Sequence, residues 1–249
     1  MNNPLTVKLR NFAPLSDDDA AELDRMCADR RTYRAREDLI KEGDRPEVVY
    51  LLIEGWACRY KILADGKRQI MAYLVPGDLC DVHIFILKEM DHSMGLLSDA
   101  TVAAIPRRKI IQVFEERPNL ARALWWSTLT DEAVLREWLV NMGQRDAYER
   151  IAHLLAELWL RMRAVGLTTG GAFELPVTQA DLGDTLGLTS VHVNRMLQRL
   201  RADGLIDLSR GSLYIPDVPR LMALSNFEPN YLHLENLGTV SPAKTAING

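Results

Sequence analysis

The chain has 249 residues, enough for one large domain or two smaller ones, with 47% hydrophobic and 26% charged residues, the balance of an ordinary soluble globular protein. No uninterrupted apolar run reaches the roughly 18 residues of a membrane span. The opening Met1-Asn2-Asn3-Pro4-Leu5 lacks the charged-then-apolar layout of a secretory signal, so a cytoplasmic protein with no membrane partner is expected. The net charge of −4 gives no hint of nucleic acid, but charge acts locally. Residues 188–202 hold Arg195, Arg199 and Arg201 and no acid, a patch that the whole-chain average hides. Cys27, Cys58 and Cys80 are too few and too widely spaced for a disulfide framework or a metal knuckle, and read as reduced, buried thiols.

In chain order, residues 17–28 predict a short helix with Ser16 as N-cap. From about residue 32 to 105, runs rich in β-formers (48–53, 57–62, 69–75) alternate with glycine turns at Gly43-Asp44, Glu54-Gly55, Asp65-Gly66 and Gly77-Asp78, about one every 11 residues. That interval predicts an all-β barrel or sandwich, and Asp65-Gly66 between two such runs predicts a hairpin.

Residues 119–142 contain neither glycine nor proline and predict a long helix. Ala121, Leu124, Thr128, Asp131, Leu135, Trp138 and Met142 recur at spacings alternating between 3 and 4, a heptad stripe that predicts a seam against the helix of a second copy. Packing on the chain's own barrel is the alternative; Thr128 and Asp131 suit a seam better than a closed core. Residues 147–165 then read as an amphipathic helix, with Ile151, Leu154, Leu155, Leu158 and Met162 on one side. Residues beyond about 235 read as a loose tail.

The most specific signal lies in residues 178–202. Thr178 followed by Asp181 resembles a capping box, and Leu182 and Leu186 form an i, i+4 apolar pair. Gly183 leaves room for a second helix, Gly187 permits a left-handed turn, Leu188 fills the corner, and Thr189 caps the next helix. That helix has two faces. Val193, Met196, Leu197 and Leu200 form the inner one; Val191, Asn194, Arg195 and Gln198 form the outer one, flanked by Ser190 and His192. Arginine can bond guanine O6 and N7 together, Asn and Gln can read adenine, and a valine suits a thymine methyl. A plain two-helix corner would need none of this chemistry. Residues 204–216 then predict a hairpin wing with Arg210 near a phosphate.

Barrel, long helix and winged helix-turn-helix in this order resemble the Crp/Fnr superfamily of transcription regulators, over roughly residues 15–224. The resemblance rests on Glu42-Gly43-Asp44, Leu52-Ile53-Glu54-Gly55, Pro76-Gly77-Asp78, the strand at 100–105 and the motif at 178–200. It implies an α+β fold: a cyclic-nucleotide-binding-like sensory β-barrel (12–118), a dimerisation helix (119–143), a winged helix-turn-helix (144–222) and a C-terminal extension (223–249). It further implies a homodimer on a near-palindromic double-stranded DNA site, with RNA polymerase as a further partner. Base contacts fall on Ser190, Val191 and Arg195 with Asn194 beside them, and backbone contacts on Thr178, Gln179 and Thr189. His192, Gln198, Arg199 and Arg210 complete the expected interface; Leu124, Thr128, Asp131, Leu135, Trp138 and Met142 make the expected seam. Val191 stands where the family commonly has an acid, so a different preferred sequence is expected.

The sensory half departs from the pattern. Cyclic-nucleotide binders of the family carry a Gly-Glu pair and then an Arg-Ser pair; here Val82 and His92 stand at the Glu and Arg positions, so cyclic AMP is not expected to bind. The cysteine cluster of the iron–sulfur oxygen sensors is missing, and His83 and His92 read as structural, so no metal or cofactor is expected. The effector stays open. A competing function is a barrel-domain sensor or scaffold that has lost DNA binding, which would need a damaged reading helix. No nucleophile–base pair, phosphate loop or metal-ligand spacing points to an enzyme.

Overall fold

The computed structural model describes residues 3–82, 86 and 89–234; His83 and the expected tail lie outside them. The chain divides into two units, Met1–Leu135 and Arg136–Gly249.

The first unit opens with α1 (Pro4–Arg10), where the Asn3 side chain accepts from Leu5 N–H at 3.0 Å and Pro4 occupies the first turn. Helix α2 (Asp17–Met26) starts at Ser16 with a full capping box to Asp19. Among the described residues eight strands follow: β1 (Arg30–Tyr33), β2 (Asp38–Ile40), β3 (Val48–Glu54), β4 (Ala57–Ile62), β5 (Arg68–Leu74), β6 (Leu79–Cys80), β7 (Ser93–Leu96) and β8 (Ala100–Pro106). They do not close into a barrel. They form two antiparallel four-stranded sheets in a jelly-roll-like arrangement, ordered β1-β8-β3-β6 and β2-β7-β4-β5. The Asp65-Gly66 turn joins β4 to β5 as expected, with Ile62 opposite Arg68.

Strand β3 explains its own unbroken apolar run. Successive side chains of a strand point to opposite faces, and here both faces are covered. Leu51 enters a core with Leu5, Leu9, Leu23, Ile105 and Leu120, whereas Leu52 packs with Ile40, Leu74, Met94 and Val102 between the sheets. Lys8 reaches across to the buried Asp78 at 2.6 Å, and Asp78 also accepts from Val75 N–H. All three cysteines are buried thiols outside any disulfide; burial is the main cause pushing the Cys27 thiol up to about 11.

Helix α3 (Arg107–Glu116) leads into α4 (Pro118–Gln144), along which the division between the units falls. The expected heptad stripe is not one exposed ridge. Leu124 is in the core of the first unit, and Trp138 is buried in the second with its indole N–H on Glu157. Asp131 pairs with Arg59, Thr128 is half-buried, and Met142 lies against Gly187. Of the expected seam residues only Leu135 is well exposed. The exposed apolar residues of α4 are Trp125, Leu129, Leu135, Leu139 and Val140. Trp125, Leu129 and Leu139 stand one residue along from the predicted stripe, Leu135 lies on it and Val140 is two along, because a seven-residue period does not say which neighbour buries it.

In the second unit, α5 (Ala147–Ala164) is capped by Asp146 and packs against α6 (Gln179–Leu186), α7 (Ser190–Ala202) and α8 (Val218–Leu224). It is buried nearly all round, not on one side only; even His153 and Glu157 are fully enclosed. Glu157 accepts from Trp138 Nε1 at 3.0 Å and from the Tyr231 hydroxyl at 2.9 Å, with Arg161 at 3.4 Å. Burial raises its pKa, with Arg161, Tyr231 and Trp138 working the other way. His153 lies 3.2 Å from Glu137, which Arg145 also holds, and packs on Phe227 and Tyr231.

Burial, and then the charge of Arg145, drives His153 down to about 3 from an ordinary 6.5. Between those values the unfolded chain holds a proton on this ring that the folded chain does not. Stability therefore falls as pH drops below 6.5, by up to about 1.4 kcal/mol per pH unit from this group. Urea midpoints of wild type and His153→Gln, measured from pH 7 to 4, are expected to show a shallower acid loss in the variant; parallel curves would refute the assignment.

Among the described residues, no helix is long and apolar enough to cross a membrane.

Candidate nucleic-acid interface

The interface is built by α6, α7 and a small sheet, and local chemistry explains each turn. Thr178 Oγ1 accepts from Asp181 N–H at 3.1 Å, while the Asp181 carboxylate accepts from Thr178 N–H at 2.9 Å. The predicted capping box forms, with Asp in place of Glu or Gln. Gly187 ends α6 with φ +65°. A side chain at Gly183 would place its Cβ 2.6 Å from the Leu188 carbonyl oxygen, so the turn into α7 needs glycine there. Thr189 Oγ1 accepts from His192 N–H at 3.2 Å and starts α7.

The two faces of α7 divide as the spacing requires. Val193, Leu197 and Leu200 are buried, Met196 is half-buried, and Ser190, Val191, Asn194, Arg195, Gln198 and Arg199 are exposed; His192 is half-buried at the edge. Val191 is 81% exposed, the most exposed of the large apolar residues described. A valine so placed gains nothing from the fold of its own chain. Gln179, exposed with Thr178 at the start of α6, donates to Asn194 Oδ1 at 3.4 Å and so orients an amide on the reading face.

The arginines are not equivalent. Arg195 projects from the exposed face. Arg199 lies 4.3 Å from the Tyr148 ring centroid, stacked on α5, and 3.9 Å from Asp203. Arg201 turns back to donate to the Leu208 carbonyl and is half-buried, so it ties α7 to the wing and drops out of the expected basic patch. The wing strands β10 (Asp207–Ser209) and β11 (Ser212–Tyr214) form the predicted hairpin, with Arg210 and Gly211 both at positive φ in its two-residue turn. Arg210 is exposed at the tip. A third strand, β9 (Ala172–Glu174), pairs with β11 and fixes the wing to the unit. The Tyr148–Arg199 stack, the Gln179–Asn194 bond and β9 went unread in the sequence; each joins residues remote along the chain, and no local spacing signals them.

A jelly-roll-like unit followed by a winged helix-turn-helix with an acid-free exposed helix face defines a DNA-binding regulator. Comparison with known proteins gives the same class. Residues 30–117 match the cyclic nucleotide-binding domain family, and residues 149–224 match the Crp-like helix-turn-helix domain. The chain is 30% identical over 220 residues to the nitrogen fixation regulation protein FixK of Bradyrhizobium diazoefficiens, covering 87% of this chain and 91% of that one. It is 29% identical to the transcriptional activator protein FnrL of Cereibacter sphaeroides, covering 77% and 78%. Among solved structures, FixK2 from Bradyrhizobium japonicum superposes with a TM-score of 0.71 at 28% identity, covering 78% of this chain and 96% of that one. This chain belongs to the Crp/Fnr family of DNA-binding transcription regulators.

Proposed function

We propose that the protein acts as a homodimer on a near-palindromic operator, each copy reading one half-site with Ser190, Val191, Asn194 and Arg195. The observation that carries this reading is the exposed Val191–Asn194–Arg195 face, which holds bidentate, amide and apolar groups and no acid. Thr178, Gln179, Thr189 and Arg210 supply backbone contacts around it, with His192, Gln198 and Arg199 at the margins. The ridge Trp125, Leu129 and Leu135 of α4, continued on the same helix by Leu139, is the surface for the second copy. The similarity to FnrL, a transcriptional activator, supports activation as the outcome; RNA polymerase is the further partner in this reading, in the cytoplasm where the DNA lies.

Cyclic AMP is not the signal in this reading. Val82 offers no bond to a ribose, and the cations of the sensory cavity are already engaged: Arg59 by Asp81 and Asp131, His92 by Asp81 and Asp91. With Glu132 on the same wall, a phosphate there would face four carboxylates.

The test selects duplexes from a random pool with wild type and then titrates the selected site with Arg195→Ala. A loss of about 1–3 kcal/mol that is confined to one base pair is expected of a bidentate guanine contact. Equal loss on every sequence would make Arg195 a phosphate contact, and wild type that enriches no sequence at moderate salt would remove the reading altogether.

A further inference from the structure

In the first unit a cavity of about 420 Å3 has apolar walls, among them Leu79, Val82, Leu124 and Val134, and a charged end. Arg59 of β4 projects into that end with its side chain only 14% exposed. Its Nε lies 3.3 Å from Asp81 Oδ1, and its Nη2 donates to the Leu79 carbonyl at 3.2 Å. Nη1 and Nη2 then both reach Asp131 Oδ2 of α4, at 3.4 and 3.3 Å. Beyond Asp81 the chain of charges continues through His92 Nε2 at 3.0 Å to Asp91, 2.7 Å from His92 Nδ1. Among these groups Asp131 alone comes from α4; the others come from β4 and from the segments flanking β6 and β7.

We propose that Asp131 is a built-in counter-ion: the α4 carboxylate occupies on Arg59 the place an external acidic ligand would take, and locks the helix on its sheet without a small molecule. The inference rests on the reading of the chain as a dimeric DNA-binding regulator, and makes that regulator independent of any acidic effector.

Four observations support it. The cavity's two cationic groups among the described residues are each neutralised from within, so an acidic ligand must displace a carboxylate that is already covalently part of the chain and is held there at high effective concentration. Asp131 is only 31% exposed and faces a guanidinium nearly out of water, where a charge-assisted pair is far less screened than at the surface. Asp131 also lies two residues from Leu129 and four from Leu135, so the pair sets the rotation of the α4 segment that carries the exposed apolar ridge. Burial lowers the His92 pKa, but the bonds to Asp81 and Asp91 outweigh it and the net shift is upward, which keeps the far end of the chain of charges paired. Asp131 is thus a positioning residue that acts through Arg59.

The test uses the full chain and the duplex selected by wild type, without effector. Wild type is expected to bind and to be indifferent to 10-fold-varied sodium propionate at constant ionic strength. Asp131→Ala is expected to lose about tenfold in DNA affinity and in dimer association, and propionate, but not chloride, is expected to restore several-fold by entering the vacated place. Asp131→Asn keeps the side-chain volume, so it should show the same loss with no rescue. Asp131→Asn binding like wild type overturns the proposal, as does Asp131→Ala whose loss propionate leaves unchanged, the outcome of a merely structural role. Wild type that binds only after propionate or a cyclic nucleotide is added also overturns it. Failure of wild type to select any duplex is a different result and counts against the functional reading.

Discussion

Glu157→Ala is expected to lower the stability of the second unit by about 3–5 kcal/mol, read as a shift of the urea midpoint at unchanged slope. Glu157 is 0% exposed and sits where α5, the end of α4 and the turn Pro229–Leu232 meet. Its two carboxylate oxygens satisfy the Trp138 indole N–H, the Tyr231 hydroxyl and the Arg161 guanidinium. Truncation removes the carboxylate acceptor from those three donors in a dry place and leaves a void as well, and the two costs add. Arg161 weighs most among them: its side chain is only 13% exposed, and weakening the charge balance around a buried cation costs more than losing a neutral bond. Glu157→Gln separates the causes. It keeps the volume and one acceptor oxygen, so it should retain more than half of the lost stability, with the residue of the loss falling on Arg161. An unfolding midpoint for Glu157→Ala within error of wild type would mean that the site relaxes by admitting water, and the account of the cluster would fail.

How much of this was legible beforehand depended on how far apart in sequence the cooperating residues lie. The helix-turn-helix could be read because its signals are local: Thr178 to Asp181, Gly187 at a turn, Thr189 before a helix, and two faces of α7 separated by spacing alone. Strands β3, β4, β5 and β8 were legible for the same reason. Strands β1, β2, β6 and β7 were not, being two to four residues long, and β1 carries Arg30 and Arg31, so pairing with β8 rather than composition makes it a strand. Helix α5 misled in the opposite sense. His153 and Glu157 look like a polar face, but Trp138, Tyr231 and Phe227 arrive from distant segments to cover them. From sequence Asp131 suits a seam better than a closed core; its partner Arg59 stands 72 residues earlier, and nothing near Asp131 announces it.

The same long-range packing moves the proposed seam, and with it the variant that tests the dimer. Trp138→Glu would put a second carboxylate against Glu157 in a buried site, so it is expected to unfold the second unit and says nothing about association. Leu129→Glu combined with Leu135→Glu falls on the exposed ridge, with Leu135 also edging the cavity of the first unit: the two residues are 44% and 48% exposed in the single chain, so the melting temperature of the folded monomer should move little. In the proposed dimer both positions face their counterparts on the second copy. Four added carboxylates would then meet across one helical seam, where like charges and lost apolar burial act in the same direction. Light scattering is expected to give a monomer near 28 kDa, the mass of one chain. Affinity for the full operator should fall by about 100-fold or more, because the second half-site loses the effective concentration that the linked partner supplied, while the weak affinity for an isolated half-site persists. A doubly substituted protein that still scatters as a dimer would place the seam elsewhere, and the face of α4 bearing Trp125, Leu129 and Leu135 would then need another occupant.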